Sequence, residues 1–267
     1  MINNKEIIAW FSGGITSAVA CKLTALKHQN ARIVYIHINS HHEDSIRFKN
    51  DCEAWYGKKI ETFQSLKYAD QFEVIEKTKY VNGANGARCT LELKKKVRER
   101  IEKEINFSNQ VWGFEFEKKQ VNRAIRWMEQ YPQTNSLFPL IENKLTKNEC
   151  AGIIQSAGIE ITEMYKLGYS NNNCIGCVKG GAGYWNKIRV DFPNIFDRMA
   201  KTERLIGASC LKNKNGKLFL DELNPSAGNP TEIVTPECGI FCQVEFADLM
   251  HNQIDKIMNG ELSIYNL

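Results

Sequence analysis

Apolar and polar positions follow two distinct periods along the first half of this chain. Ile7-Ile8-Ala9-Trp10-Phe11 and Ile33-Val34-Tyr35-Ile36-His37-Ile38 are nearly continuous apolar runs. Such runs read as strands buried on both faces of a parallel sheet. Gln110-Val111-Trp112-Gly113-Phe114 is a third strand, and Lys59-Ile60-Glu61-Thr62-Phe63 is a shorter alternating one. Between them the apolar spacing becomes helical, over about 15–29, over 45–56 with Phe48, Cys52 and Trp55/Tyr56 on one face, over a basic stretch at 91–105, and on to about 130. Strands alternating with helices predict an α/β fold whose parallel sheet is covered by helices on both faces.

After Phe138-Pro139-Leu140 the pattern changes. Helical spacing over about 146–157, 183–190 and 194–206 alternates with Asn- and Gly-rich loops, and Lys217-Leu218-Phe219-Leu220 is the one clear strand signal. The expected organisation is an α/β region over 1–141 and a smaller, mainly helical, cysteine-containing region over 142–267. A chain of 267 residues has room for both.

The first strand runs into Ser12-Gly13-Gly14-Ile15-Thr16-Ser17. Adjacent glycines at a strand-to-helix junction allow positive φ and close approach of a ligand to the backbone. The first helical amides have no partners within the helix, and they carry the positive end of its dipole. Ser12, Thr16 and Ser17 add hydroxyls. The result is a cradle for an anion, phosphate or sulfate. It has neither the lysine of a G-x-x-x-x-G-K-[ST] loop nor the glycine spacing of G-x-G-x-x-G. In a parallel sheet, ligands collect at the carboxyl ends of the strands. The cradle, the loop at 39–45 and the Gly113 turn all lie at such ends.

Composition narrows the class. Hydrophobic residues make up 43% and charged residues 25% of the chain, as in ordinary globular proteins. No leader-like start and no membrane-length apolar run is visible, so a cytoplasmic protein without membrane contact is expected. The net charge of +4 suits an anionic small molecule as well as a nucleic acid. Part of that charge is concentrated at Arg88-Cys89-Thr90, Lys94-Lys95-Lys96 and Arg98, where Arg88 and Lys94 are placed to hold a second anionic group. Arg123, on the helix after Gly113-Phe114-Glu115, either reaches back to the anion or forms ion pairs along its own helix. In His41-His42-Glu43-Asp44 the carboxylates serve Mg²⁺ or ribose, or Asp44 caps a helix.

Nine cysteines is a high count. Cys21, Cys52 and Cys150 fall at apolar helical positions and read as core. Cys174-x-x-Cys177 and Cys238-x-x-x-Cys242 sit in glycine-containing loops. Together they make a four-thiolate site for Zn²⁺ or a [4Fe-4S] cluster. A redox dithiol at Cys174/Cys177 and inert buried thiols are the competing readings.

Several of these pieces occur together in one order. Ser12-Gly13-Gly14-x-x-Ser17, Gly86-Ala87-Arg88-Cys89-Thr90-x-x-Leu93-Lys94, Gly113-Phe114-Glu115 and Pro139-Leu140-Ile141 resemble the phosphoadenosine phosphosulfate (PAPS) reductase family, within the PP-loop adenine nucleotide α-hydrolase superfamily. The run from Leu167 to Gly181 and Tyr184-Trp185-Asn186-Lys187-Ile188-Arg189 resemble a bacterial and phage branch of it. The resemblance implies a Rossmann-like, HUP-type sheet. The cradle residues would hold the pyrophosphate of ATP or the sulfate end of PAPS, the adenine would lie over 36–40 beside Asn39, and Gly113 and Arg123 would complete the nucleotide site. Arg88 and Lys94 would neutralise the reacting groups. Glu237-Cys238-Gly239-Ile240 resembles the reductase segment whose cysteine is the nucleophile.

Three departures stand out. Thr16 replaces the aspartate usual in ATP pyrophosphatases, Phe241 replaces the reductase histidine, and Cys89 stands alone where iron–sulfur reductases carry a cysteine pair. The leading expectation is an enzyme of sulfur metabolism acting on PAPS, APS or ATP, served by a thioredoxin-like reductant. The others are an adenylating sulfurtransferase with a nucleic-acid acceptor and a cluster, and a zinc-stabilised nucleotide-binding regulator. A homo-oligomer is the expected assembly.

Overall fold

The computed structural model describes residues 5–83, 86–214, 216–229 and 233–236. Four parallel strands form its sheet in the order β3-β2-β1-β4: β1 (Glu6–Phe11), β2 (Ala31–Ile36), β3 (Ile60–Phe63) and β4 (Phe107–Val111). The sheet is extended at its β4 edge by a single parallel bridge from Val111 to Leu137. With its helices this is the expected α/β, Rossmann-like architecture. Successive strands move outward from β1 to β3, then the chain crosses to place β4 on the other side of β1. The carboxyl ends of β1 and β4 therefore flank a topological switch point, where open α/β sheets leave a crevice.

The apolar runs account for the burial. Ile8, Ala9 and Val34 are fully buried, because both faces of the sheet are covered. Helix α1 (Ile15–Lys27) is buried along most of its length, wedged between the sheet and α8 (Lys147–Ser156). A reciprocal capping box fixes the start of α8: the Thr146 hydroxyl accepts from the Glu149 amide, and the Glu149 carboxylate accepts from the Thr146 amide. Cys21, Cys52 and Cys150 lie in this core. The same core takes in Leu140, Ile153, Ile154 and Tyr165, so packing is continuous across residue 141, where the character of the sequence changes.

The basic segment begins earlier than its periodicity predicts and is not one regular helix. It consists of α4 (Arg88–Thr90), a π-helical turn over Leu91–Lys95, and α5 (Lys96–Glu104). A π turn inserts one extra residue per turn and rotates the side chains that follow. Helix α2 (Asp44–Tyr56) matches its pattern, whereas α3 (Gln71–Thr78) was not predicted. Helix α6 (Lys118–Gln130) follows β4, and the short helices α7 (Pro139–Glu142) and α9 (Glu163–Lys166) flank α8. Helices α10 (Ala182–Asp191) and α11 (Pro193–Ile206) build a second core around Trp185, Phe196 and Met199. A hairpin of β5 (Leu211–Asn213) and β6 (Gly216–Leu218) follows them.

Candidate functional site

The cradle forms where β1 ends. Gly13 has φ +78°, a left-handed conformation that favours glycine, and Gly14 is the extended N-cap of α1 with no side chain of its own to cap the helix. The Ser17 hydroxyl ties the turn together, donating to the Gly14 carbonyl at 2.8 Å and accepting from the Ser12 amide at 3.0 Å and the Ser12 hydroxyl at 2.9 Å, but it caps none of the helix amides. Ser17 is thus buried and structural, while Ser12 is exposed and Thr16 half-buried. The Ile15 amide has a long 3.4 Å contact to the Tyr165 hydroxyl.

Three distant segments hold this turn. Asn172 donates from Nδ2 to the Gly13 carbonyl at 2.8 Å and to Ser45 Oγ at 3.0 Å. Tyr165 stands over Gly14, where an added Cβ would come within 3.1 Å of its hydroxyl. Gly113, past the end of β4, lies directly against the start of α1. A Cβ there would be 2.6 Å from Ser17 Cα and 2.7 Å from Ser17 N. Its close approach is therefore to the cradle's own backbone.

Beyond Gly113, the buried Glu115 carboxylate is 3.7 Å from Lys147 Nζ, and Lys147 also donates to the Ser170 carbonyl at 3.2 Å. The Arg123 guanidinium lies 4.3 Å from the Phe114 ring centroid. Glu115 is also the first neighbouring charge acting on Arg123.

On the β2 side, the Tyr35 ring lies beside Gly13, and its hydroxyl shares a 2.7 Å hydrogen bond with His41 Nδ1. Burial pushes the Tyr35 hydroxyl well up, so it stays protonated. Burial, together with the charge of Lys94 and of His37, holds the His41 imidazole down to about 3. The adjacent loop is pinned to the second half of the chain: the Ile175 amide donates to the Ser40 carbonyl at 2.8 Å, and Gln71 Nε2 donates to the Ile175 carbonyl at 2.9 Å. A cavity of 220 Å³ opens at the carboxyl ends of β2 and β3, lined by His37, Asn39, Lys67 and Tyr68 among others.

The predicted site residues separate into groups. Ser12, Gly13, Gly14, Thr16, Ser17 and Gly113 are brought together, with Asn39 at the neighbouring cavity. Lys94 is half-buried and acts electrostatically on His41, Cys89 and Cys174. Arg88 pairs with the buried Glu92 at 2.9 Å and lines a separate cavity of 530 Å³ with Thr78, Tyr80 and Leu91. Asp44 is occupied by Arg47 and by the Glu163 amide, which hold its carboxyl below the usual carboxylate range. That pairing does not fit the Mg²⁺ reading of the 41–44 segment. Cys238 and Cys242 lie outside the described residues. Cys174 packs with Cys89 against the cluster of Ile38, Val74 and Leu93, and Cys89 and Cys210 pack against the larger cluster around Trp185. Among the described residues, no three His, Cys, Asp or Glu side chains form a site for one metal ion.

Sequence reasoning missed Tyr35, His41, Lys147, Tyr165 and Asn172. Tyr35 falls within a run that reads as a buried strand, and nothing local marks Tyr165 or one asparagine in the run 171–173. Among the described residues, no helix is long and apolar enough to cross a membrane.

A family model, the phosphoadenosine phosphosulfate reductase domain, matches residues 6–180. The match covers the whole sheet, the cradle, the Gly113 turn and the Cys174–Cys177 loop. No curated protein matches the chain significantly.

Proposed function

The chain belongs to the phosphoadenosine phosphosulfate reductase domain family, and on that premise we propose that it is a PP-loop enzyme of sulfur metabolism whose cradle holds the pyrophosphate or sulfate end of an adenine nucleotide. The observation that carries this reading is the Gly13–Ser17 turn. It combines positive φ, a helix N-terminus without a side-chain cap, and hydroxyls at Ser12 and Thr16, all at the switch point of the sheet. The neighbouring cavity beside Asn39 suits the nucleoside, and a reducing cytoplasm suits the free thiols.

In the reductase reading, a cysteine thiolate attacks the sulfur of a phosphosulfate. The S–O bond to the nucleotide breaks, its electron pair leaves with the nucleoside phosphate, and the sulfonate stays on the cysteine. A second thiol, from a thioredoxin-like dithiol, then releases sulfite and leaves a disulfide. The cradle amides stabilise charge on the leaving oxygens. Lys94 supplies positive charge; Arg88, held by Glu92 beside a separate cavity, and Cys238, the nucleophile, take their roles by resemblance alone. Calorimetric titration with ATP, APS and PAPS tests the binding step, and the expected result is stoichiometric binding of at least one of them that Gly13→Val abolishes. Cys238→Ser should bind nucleotide and lose turnover; full turnover in that variant removes Cys238 from the mechanism.

A second reading is adenylation of a nucleic-acid acceptor by ATP followed by sulfur transfer. Phe241 in place of the reductase histidine favours it, as do the exposed cations Lys118, Lys119, Arg123 and Arg126 on α6. Pyrophosphate release from labelled ATP that depends on added RNA or DNA would select this reading over PAPS reduction.

A further inference from the structure

Charged helix faces in this fold are largely paired within themselves. On α5 and the turn before it, Lys96 pairs with Glu92, Arg98 with Glu102 and Arg100 with Glu104, each four residues apart. On α2, Arg47 pairs with Asp51 and Lys49 with Glu53 at the same spacing. Helix α6 departs from that pattern. It carries Lys118, Lys119, Arg123 and Arg126, all exposed, and among the described residues none of them forms an ion pair with a carboxylate. Glu129, three residues beyond Arg126, does not pair with it.

The cations are also aligned. Lys119, Arg123 and Arg126 fall at i, i+4 and i+7, so they form one stripe along the helix. Like charges at this spacing repel, and no carboxylate relieves them here. At about 1.5 Å per residue the stripe is about 10 Å long, the rise of about three phosphates of one strand. A different face anchors α6: Ala124 is buried, and the Arg98 guanidinium lies 5.0 Å from the Trp127 ring. Val121, Ile125 and Met128 lie on the side opposite the stripe, with Ile125 46% and Met128 44% exposed. A membrane surface would take that apolar side and leave the stripe pointing away from it. A polyanion takes the stripe.

The stripe begins beside the cradle. Arg123 lies 4.3 Å from the Phe114 ring centroid, and Phe114 follows Gly113, which lies against the backbone of Ser17. Between that turn and α6 stands Phe116, 44% exposed, its amide donating to the Leu145 carbonyl at 2.7 Å. An exposed aromatic ring between an anion cradle and a row of free cations has the make-up of a single-strand site, in which phosphates track the cations and a base stacks on the ring.

We propose that α6 is the docking surface for a single nucleic-acid strand, RNA or DNA. Lys119 and Arg126, with Lys118 beside them, hold successive phosphates, and Phe116 takes an unpaired base at the end of the strand nearest the cradle. The assignment rests on the reading in which a nucleic acid is the acceptor, and it names the surface that brings the acceptor to the nucleotide.

The test is fluorescence anisotropy of short labelled single strands of RNA and of DNA, titrated with the full chain over a series of salt concentrations. The wild type should bind at least one of them. Lys119→Gln combined with Arg126→Gln should weaken that binding and flatten the slope of log affinity against log salt by about 1.4, two lost contacts at about 0.7 each. Lys119→Arg combined with Arg126→Lys keeps both charges and should bind like the wild type. Phe116→Ala should weaken binding by about tenfold, and Phe116→Trp should retain it. Lys201→Gln combined with Lys212→Gln, the same change of charge at exposed positions elsewhere, should leave affinity and slope unchanged. Nucleotide affinity by calorimetry should be that of the wild type in every variant; Arg123 is kept intact throughout because it adjoins the nucleotide site. An unchanged slope in the Lys119/Arg126 glutamine variant, an equal loss in the Lys201/Lys212 control, tighter binding of duplex than of single strand, displacement of the strand by polyglutamate at equal charge, or binding to anionic vesicles in place of strands would each overturn the proposal. Strand binding that survives the α6 substitutions refutes this surface and leaves the acceptor reading standing. A wild type that binds no strand, with or without nucleotide, refutes both.

Discussion

Asn172 Nδ2 donates to the Gly13 carbonyl at 2.8 Å, joining two residues 159 positions apart. The bond fixes the cradle from outside and, through Ser45, ties it to the start of α2. Asn172→Ala leaves a buried carbonyl without its donor, at a cost of about 1–3 kcal/mol. We expect a lower melting temperature and weaker nucleotide affinity by calorimetry. Asn172→Asp should bind still more weakly, because it removes the donor and brings a negative charge to an anion site. Unchanged affinity in both variants would show that the loop holds its shape unaided.

Gly113 has no room for a methyl group. Its Cβ would overlap backbone atoms of Ser17, which cannot rotate away as a side chain can. Gly113→Ala should cost about 1–3 kcal/mol as an overpacking change and displace the start of α1. Thermal unfolding reads the first effect and nucleotide titration the second. A wild-type melting temperature in this variant would contradict the close contact between the two turns.

His41 predicts a pH dependence of stability. Its imidazole is held down to about 3 from an ordinary value near 6.5. Between those values the unfolded chain takes a proton that the folded chain resists. Its contribution is therefore complete above about pH 6.5 and lost progressively as pH falls toward about 3. His28 and His37, both lowered chiefly by burial, add in the same direction. The melting temperature should fall from about pH 7 to about pH 5, and His41→Gln should flatten that slope. An equal slope in the variant would assign the dependence to other groups.

Arg98 joins α5 to the end of α6. Its guanidinium lies 5.0 Å from the Trp127 ring and 5.0 Å from the Tyr131 ring, with Trp112 at 5.9 Å and the Glu102 carboxylate 3.1 Å from Nε. A buried planar cation among three aromatic rings is not replaced by an ammonium. Arg98→Lys should lose about 1–2 kcal/mol of stability and increase hydrogen exchange over 118–130, whereas nucleotide affinity should change little. Exchange confined to its wild-type pattern would show that α6 is held by other contacts.

The sequence by itself determined the alternation of strands and helices, the position of the cradle and the core role of Cys21, Cys52 and Cys150. These are carried locally, by apolar period, by the Ser-Gly-Gly turn and by the two backbone conformations that turn requires. It also held enough ordered motifs to point to the family. It did not mark α3, which is only eight residues long, or the π turn, which depends on where the extra residue is accommodated.

Only the tertiary structure decided which residues hold the cradle and which apolar clusters the loop cysteines pack against. The Gly13–Asn172 bond, the Gly113–Ser17 contact and the packing of Cys89 and Cys174 against one apolar cluster all unite segments far apart in the chain. A cysteine pair such as Cys174–Cys177 is visible as a spacing. The setting of Cys210 before β5 is not, because its amide is held by the Glu203 carboxylate of α11, and no local pattern records that bond.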